Sequence, residues 1–95
     1  MRKYELVIIY DPSLEEDDVA KELSKITSFI EKENGEIVDK ENWGVKKLAY
    51  PIKHQEDGYY FLLHFNSGDK VIPEINRMNK INDKILKHLI VKRKA

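Results

Sequence analysis

The chain has 95 residues, 17 Lys/Arg balanced by 17 Asp/Glu, and no cysteine. That length supports one two-layer core over residues 1–95 but no cleft between domains, so a binding module is a better expectation than an enzyme. Without cysteine there is no disulfide, thiolate metal site or thiol nucleophile; with no charged-then-apolar leader at the start, the expected location is the cytoplasm, and no apolar run reaches the ~20 residues that span a bilayer.

Arg2–Tyr10 is β-rich and apolar on both faces after Glu5, the pattern of a central strand. Asp11-Pro12 ends it. Ser13-Leu14-Glu15-Glu16 matches a capping box, which predicts a helix from Leu14. Val19, Leu23, Ile26 and Ile30 give that helix one apolar stripe, four carboxylates from Glu15 to Asp18 crowd its dipole-favoured first turn, and Asn34-Gly35 stops it. A second strand is expected from Glu36 to Ala49, with Pro51 confining it to a sheet edge or ending it. His54–Gly58 reads as a turn, Tyr59–Phe65 as a third strand, and Asn66–Asp69 as loop. A second helix is expected to start between Asp69 and Ile72, where Pro73 is tolerated, and to end near Ile81. Ile85–Arg93 is the last strand.

The order β-α-β-β-α-β, with right-handed crossovers, predicts an α+β ferredoxin-like arrangement: a four-stranded antiparallel sheet with two helices on one face. Leu6, Ile8, Phe61, Leu63 and Phe65 are assigned to the helix side. Val7, Ile9, Tyr60, Leu62, His64 and Leu89 then lie on an open apolar face, a size of exposed patch that points to a partner.

Catalysis has no constellation. His54, His64 and His88 are the only imidazoles, and no Asp or Glu stands at a ligand spacing from His64 or His88, so no metal site is expected; the glycines are isolated and form no phosphate loop. Charge is more informative. Residues 1–45 hold 6 Lys/Arg against 12 Asp/Glu, whereas residues 46–95 hold 11 against 5. Such a split lets one surface approach an anionic polymer. Arg2, Lys3, Lys46, Lys47, Lys53, Lys87, Lys92, Arg93 and Lys94 fall at strand ends and the hairpin, suited to phosphate contact on one rim of the sheet. Gly58-Tyr59-Tyr60-Phe61-Leu62 weakly resembles the aromatic signature of the RNA recognition motif, but a helix-facing Phe61 cannot stack on a base. Trp43, Leu48 and Tyr50 stiffen the Trp43–His54 arm or, with Tyr60, Leu62 and Leu89, meet a protein partner. A small-ligand sensor or homo-oligomeric regulatory module is the alternative on the same fold.

Taken together, Met1-Arg2-Lys3-Tyr4-Glu5, Pro12, Asn34-Gly35, Trp43-Gly44 with Lys47-Leu48-Ala49-Tyr50-Pro51-Ile52, Gly58-Tyr59-Tyr60, and Ile81-Asn82-Asp83 before Ile85-Leu86-Lys87 closely resemble the bacterial small-subunit ribosomal protein six family. The resemblance spans nearly the whole chain in order. It implies a ferredoxin-like fold, binding to the central domain of small-subunit ribosomal RNA, and pairing with small-subunit ribosomal protein eighteen. It also implies no enzymatic activity and no cofactor, and the expected state outside the ribosome is a monomer. The family's basic positions map onto Arg2, Lys46, Lys47, Lys87 and Lys92.

Overall fold

The apolar run Leu6-Val7-Ile8-Ile9 places β1 (Arg2–Tyr10) at the centre of the sheet, because only an interior strand can cover side chains on both faces. The structure, a computed structural model, describes residues 1–93. After β1 come α1 (Glu16–Lys32), β2 (Glu36–Ile52), β3 (Gln55–Ser67), α2 (Val71–Lys80) and β4 (Ile85–Lys92). The strands are ordered β2-β3-β1-β4 and every neighbouring pair is antiparallel, the expected ferredoxin-like sheet. Leu6, Ile8, Tyr10, Leu63 and Phe65 pack with Val19, Leu23, Ile26 and Ile30 of α1 and with Val71 and Ile75 of α2 in one core, which Phe61 borders. No helix is long and apolar enough to cross a membrane among the described residues.

The start of α1 differs from the capping-box expectation. The Ser13 amide and hydroxyl both donate to Asp11 Oδ1, at 2.9 and 2.7 Å, so the serine closes a turn on the preceding aspartate instead of capping the helix. The first helical residue is therefore Glu16, behind a Glu15 N-cap that makes no side-chain bond. Those two donations hold the Asp11 carboxyl below its ordinary range. The other end behaves as expected. Gly35 N–H donates to Ile30 O at 2.8 Å and Asn34 N–H to Glu31 O at 3.1 Å, the paired bonds of a Schellman stop. Asn34, at φ 65°, supplies the left-handed residue. Gly35 serves close approach: a Cβ there would lie 2.6 Å from Ile30 Cγ2 and 2.9 Å from the Asn66 carbonyl.

The hairpin is longer than expected and turns earlier. β2 continues through Pro51, which is tolerated because this is an edge strand. The turn is Lys53-His54, both at positive φ (49° and 67°), between the paired residues Ile52 and Gln55. This is the two-residue loop whose backbone matches strand twist. Residues 55–58 are thus strand, and Gly58 is no turn glycine: a Cβ there would lie 2.3 Å from Ile9 Cγ2. Asn66 and Ser67 likewise belong to β3.

Between α1 and the turn before β4 sits a buried charge that sequence reading does not single out. Glu22 accepts from Asn82 Nδ2 at 2.8 Å, Lys25 Nζ at 3.0 Å and Lys84 Nζ at 3.3 Å. Burial alone would raise its carboxyl, but the three donors outweigh burial and hold it below the usual range. Burial also lowers the His88 imidazole below its ordinary 6.5. Both shifts are downward from the unfolded value. Their stabilisation is therefore present at neutral pH and is lost as pH falls, first as His88 is pulled toward protonation and then through the carboxylate range. Urea unfolding across a pH series should show this acid decline, and Glu22→Gln should be less stable at neutral pH with a flatter acid limb. An unchanged limb would remove Glu22 from the cause.

Candidate nucleic-acid and partner interface

The Trp43–His54 arm owes its shape to two interruptions of β2. Register shifts occur between Asn42 and Gly44 and between Lys47 and Ile52. Gly44 sits at φ 72° with open space around its missing Cβ, a conformation that L side chains adopt only under strain. Asn42 braces the bulge on both sides: its Oδ1 accepts from Gly44 N–H at 2.9 Å and its Nδ2 donates to the Tyr59 hydroxyl at 2.7 Å. The bulge carries Trp43, 42% exposed, whose ring stacks on Tyr60 at 6.5 Å and 22°. Lys46 Nζ lies 5.2 Å from the Trp43 ring centroid. A bulge of this kind re-aims a side chain. The aromatic pair thus becomes a platform edged by a cation.

Beyond Trp43 the arm folds back over the sheet face opposite the helices. Leu48 packs with Ile9 and Leu86, with Ile52 and Tyr60 against them, in a second small core. Lys53 Nζ donates to the Ile85 carbonyl at 3.1 Å and ties the tip to the start of β4. Lys87 Nζ donates to the Tyr50 hydroxyl at 3.0 Å, which raises the lysine's pKa and keeps it cationic. Leu48 and Leu62, expected on the partner-facing surface, are only 7% and 6% exposed. The reason for Leu48 is the folded-back arm. The open apolar face is correspondingly smaller: Leu89 (55% exposed), Tyr50 (57%) and Trp43 remain accessible, Val7 and Tyr60 are half-buried, and Ile9 is covered.

The basic residues do not converge on one rim. Arg2, Lys3, Lys92 and Arg93 surround one shallow hollow where β1 starts and β4 ends. Lys46, Lys47, Lys53 and Lys87 lie toward the opposite end. Lys3 and Ile9, which pairs with Lys87, are six residues apart on β1, about 20 Å at strand rise. Lys94 lies outside the described residues. Among the described residues only Arg2 of these eight has a carboxylate within 4.0 Å, a loose and exposed contact to Asp69. Asp69 itself accepts from the Tyr4 hydroxyl, which lowers its carboxyl. Among the described residues the other seven make no ion pair within 4.0 Å, although Asp57 stands opposite Lys47 in the hairpin and Lys92 is close enough to Asp69 to help lower its carboxyl.

His64 does have carboxylates beside it, contrary to the expectation from spacing. Cross-strand pairing brings Glu5 Oε1 to 2.8 Å from Nε2 and Asp39 Oδ2 to 3.8 Å from Nδ1. The three residues come from β1, β2 and β3, and their neighbourhood is set by register, which linear spacing does not display. The Trp43–Tyr60 stack and the Tyr50–Lys87 bond are likewise invisible in linear spacing. Alternation gives no signal for the first: Ile9, Tyr60 and Gly44 share one cross-strand row, and it is the bulge that brings the neighbouring Trp43 onto Tyr60.

Comparison with known proteins gives one consistent result. The family described as Ribosomal protein S6 matches residues 3–92. The chain is 37% identical over 92 residues to small ribosomal subunit protein bS6 of Caldanaerobacter subterraneus subsp. tengcongensis, covering 97% of each chain. It is 38% identical over 93 residues to the bS6 protein of Corynebacterium jeikeium, covering 98% of each. Among solved structures it resembles 30S ribosomal protein S6 from Thermotoga maritima with a TM-score of 0.90 at 25% identity, covering 97% of this chain and 87% of that one.

Proposed function

Because the chain belongs to the ribosomal protein S6 family, we propose that it acts in the small ribosomal subunit by binding the central domain of small-subunit ribosomal RNA together with small-subunit ribosomal protein eighteen. It does so in the bacterial cytoplasm as one domain over residues 1–95, monomeric away from the ribosome and without enzymatic activity. The observation that supports RNA binding is the set of cations that make no ion pair within 4.0 Å among the described residues, Lys46 and Lys47 on the arm above all. Un-neutralised lysines on a rigid projection gain from phosphate by counterion release, whereas paired ones must first break a contact. The family membership supports the identity of the RNA and of the partner.

For the protein partner, the accessible part of the open face is the surface to test. Leu62→Asp would bury a carboxylate and report on folding instead, so Leu89 is the better position. Leu89→Asp should leave the circular dichroism unchanged and reduce pairing with small-subunit ribosomal protein eighteen in a pull-down. The unsubstituted chain should co-sediment with small subunits after a high-salt wash. Undiminished pairing would remove the open face from the interface, and loss of the protein in the wash would count against the ribosomal role.

A further inference from the structure

We infer that Asp39, Glu41 and His64 form a binding site for a zinc-class divalent cation on the open sheet face, with Glu5 as the carboxylate that orients the imidazole. One ligand atom from each of Asp39, Glu41 and His64 lies within 4.8 Å of the others. Asp39 and Glu41 are two residues apart on β2, on the same side of the strand, and His64 is the β3 residue opposite Asp39. Glu5 approaches from the other flank of His64, on β1. Three strands therefore supply the set, and the sheet holds their backbones.

The two ring nitrogens of His64 are not equivalent. Nε2 is 2.8 Å from Glu5 Oε1, a hydrogen bond that in the neutral ring puts the proton on Nε2 and leaves the Nδ1 lone pair facing β2. Across from that lone pair stands Asp39 Oδ2 at 3.8 Å, beyond hydrogen-bond range. An acceptor then faces an acceptor across a gap that a cation can bridge. Among the described residues no Lys or Arg comes within 4.0 Å of Glu5, Asp39 or Glu41.

The spacing suits a metal ion. With metal–ligand bonds of about 2.0–2.1 Å, neighbouring ligands of a tetrahedral zinc stand roughly 3.3–3.4 Å apart, so the gap between Nδ1 and Asp39 needs to close by only a few tenths of an ångström. Glu41 is exposed and free to swing inward. A carboxylate hydrogen-bonded to the far nitrogen of a ligating histidine is the usual outer partner of such sites, raising ligand basicity and fixing the ring. One imidazole with two carboxylates selects zinc and its neighbours over magnesium or calcium, which take oxygen alone. Water would fill the fourth position. A cation here ties β2 to β3 directly and to β1 through Glu5.

Titration calorimetry of the full chain with zinc chloride at pH 7.5 should show one saturable site per chain, unaffected by millimolar magnesium. His64→Ala should weaken it at least tenfold and Glu5→Gln about tenfold, whereas His54→Ala should leave it unchanged. Nitrogen NMR of the unsubstituted protein should show zinc shifting Nδ1 of His64 while Nε2 stays protonated, which decides the matter even if a variant fails to fold. Absence of saturable uptake, retention in folded His64→Ala, competition by magnesium, or a shift confined to Nε2 or to His54 would each overturn the site.

Discussion

Phe65→Ala should lower the free energy of unfolding by about 3–5 kcal/mol, a large part of the roughly 5–15 kcal/mol that a domain of this kind has in total. Phe65 is buried under the helices, stacked on Tyr4 at 5.6 Å and 26°. It lies in the row where β1, β2 and β3 all meet, opposite Tyr4 and Ile37. Removing the ring leaves a cavity lined by elements that cannot close on it, because the sheet hydrogen bonds fix their spacing. Leu48→Ala is the informative contrast. It empties the small cluster with Ile9 and Leu86, where the cost is expected near the lower end of the ~2–5 kcal/mol range for buried leucine and where the arm can settle into the space. Urea denaturation with both variants measures the difference. Equal losses would mean that the arm is as integral to folding as the sheet itself.

The helix stripes at Val19, Leu23, Ile26 and Ile30, the doubly apolar β1 and the stop at Asn34-Gly35 are local patterns, and local patterns survive in a linear string. The hairpin tip is different. Lys53 and His54 take left-handed backbone that ordinarily calls for Asn-Gly, while the nearby Gly58, which reads as punctuation, sits mid-strand because Ile9 leaves no room for a Cβ. Leu48 is covered because the arm folds back onto Ile9 and Leu86, a long-range contact that a strand count does not display. Charge is visible in sequence, but the distance between charges is not. Arg2 and Lys3 share the strand-end position of Lys46 and Lys47 only until register places them at opposite ends of the sheet.

That separation shapes the second expected result. Lys46→Ala/Lys47→Ala should weaken binding to the central-domain RNA roughly tenfold at low salt and reduce the slope of log affinity against log salt by about two, one phosphate contact for each lysine. Neither lysine has a carboxylate within 4.0 Å among the described residues, and both are exposed, so the fold should be untouched. Lys46 is already held over the Trp43 ring, which limits the side-chain freedom it loses on meeting a phosphate. Filter binding over a salt series, with Lys80→Ala on the outer surface of α2 as the control, measures both quantities. If the charge on the chain as a whole drove association, the control would lose a comparable share of affinity per lysine. A projection that places its cations against the RNA backbone instead gives a loss confined to the arm pair. Should the arm variant keep full affinity and slope, the contacts would have to come from Arg2, Lys3, Lys92 and Arg93 at the other end of the sheet, and the arm would be left to the protein partner.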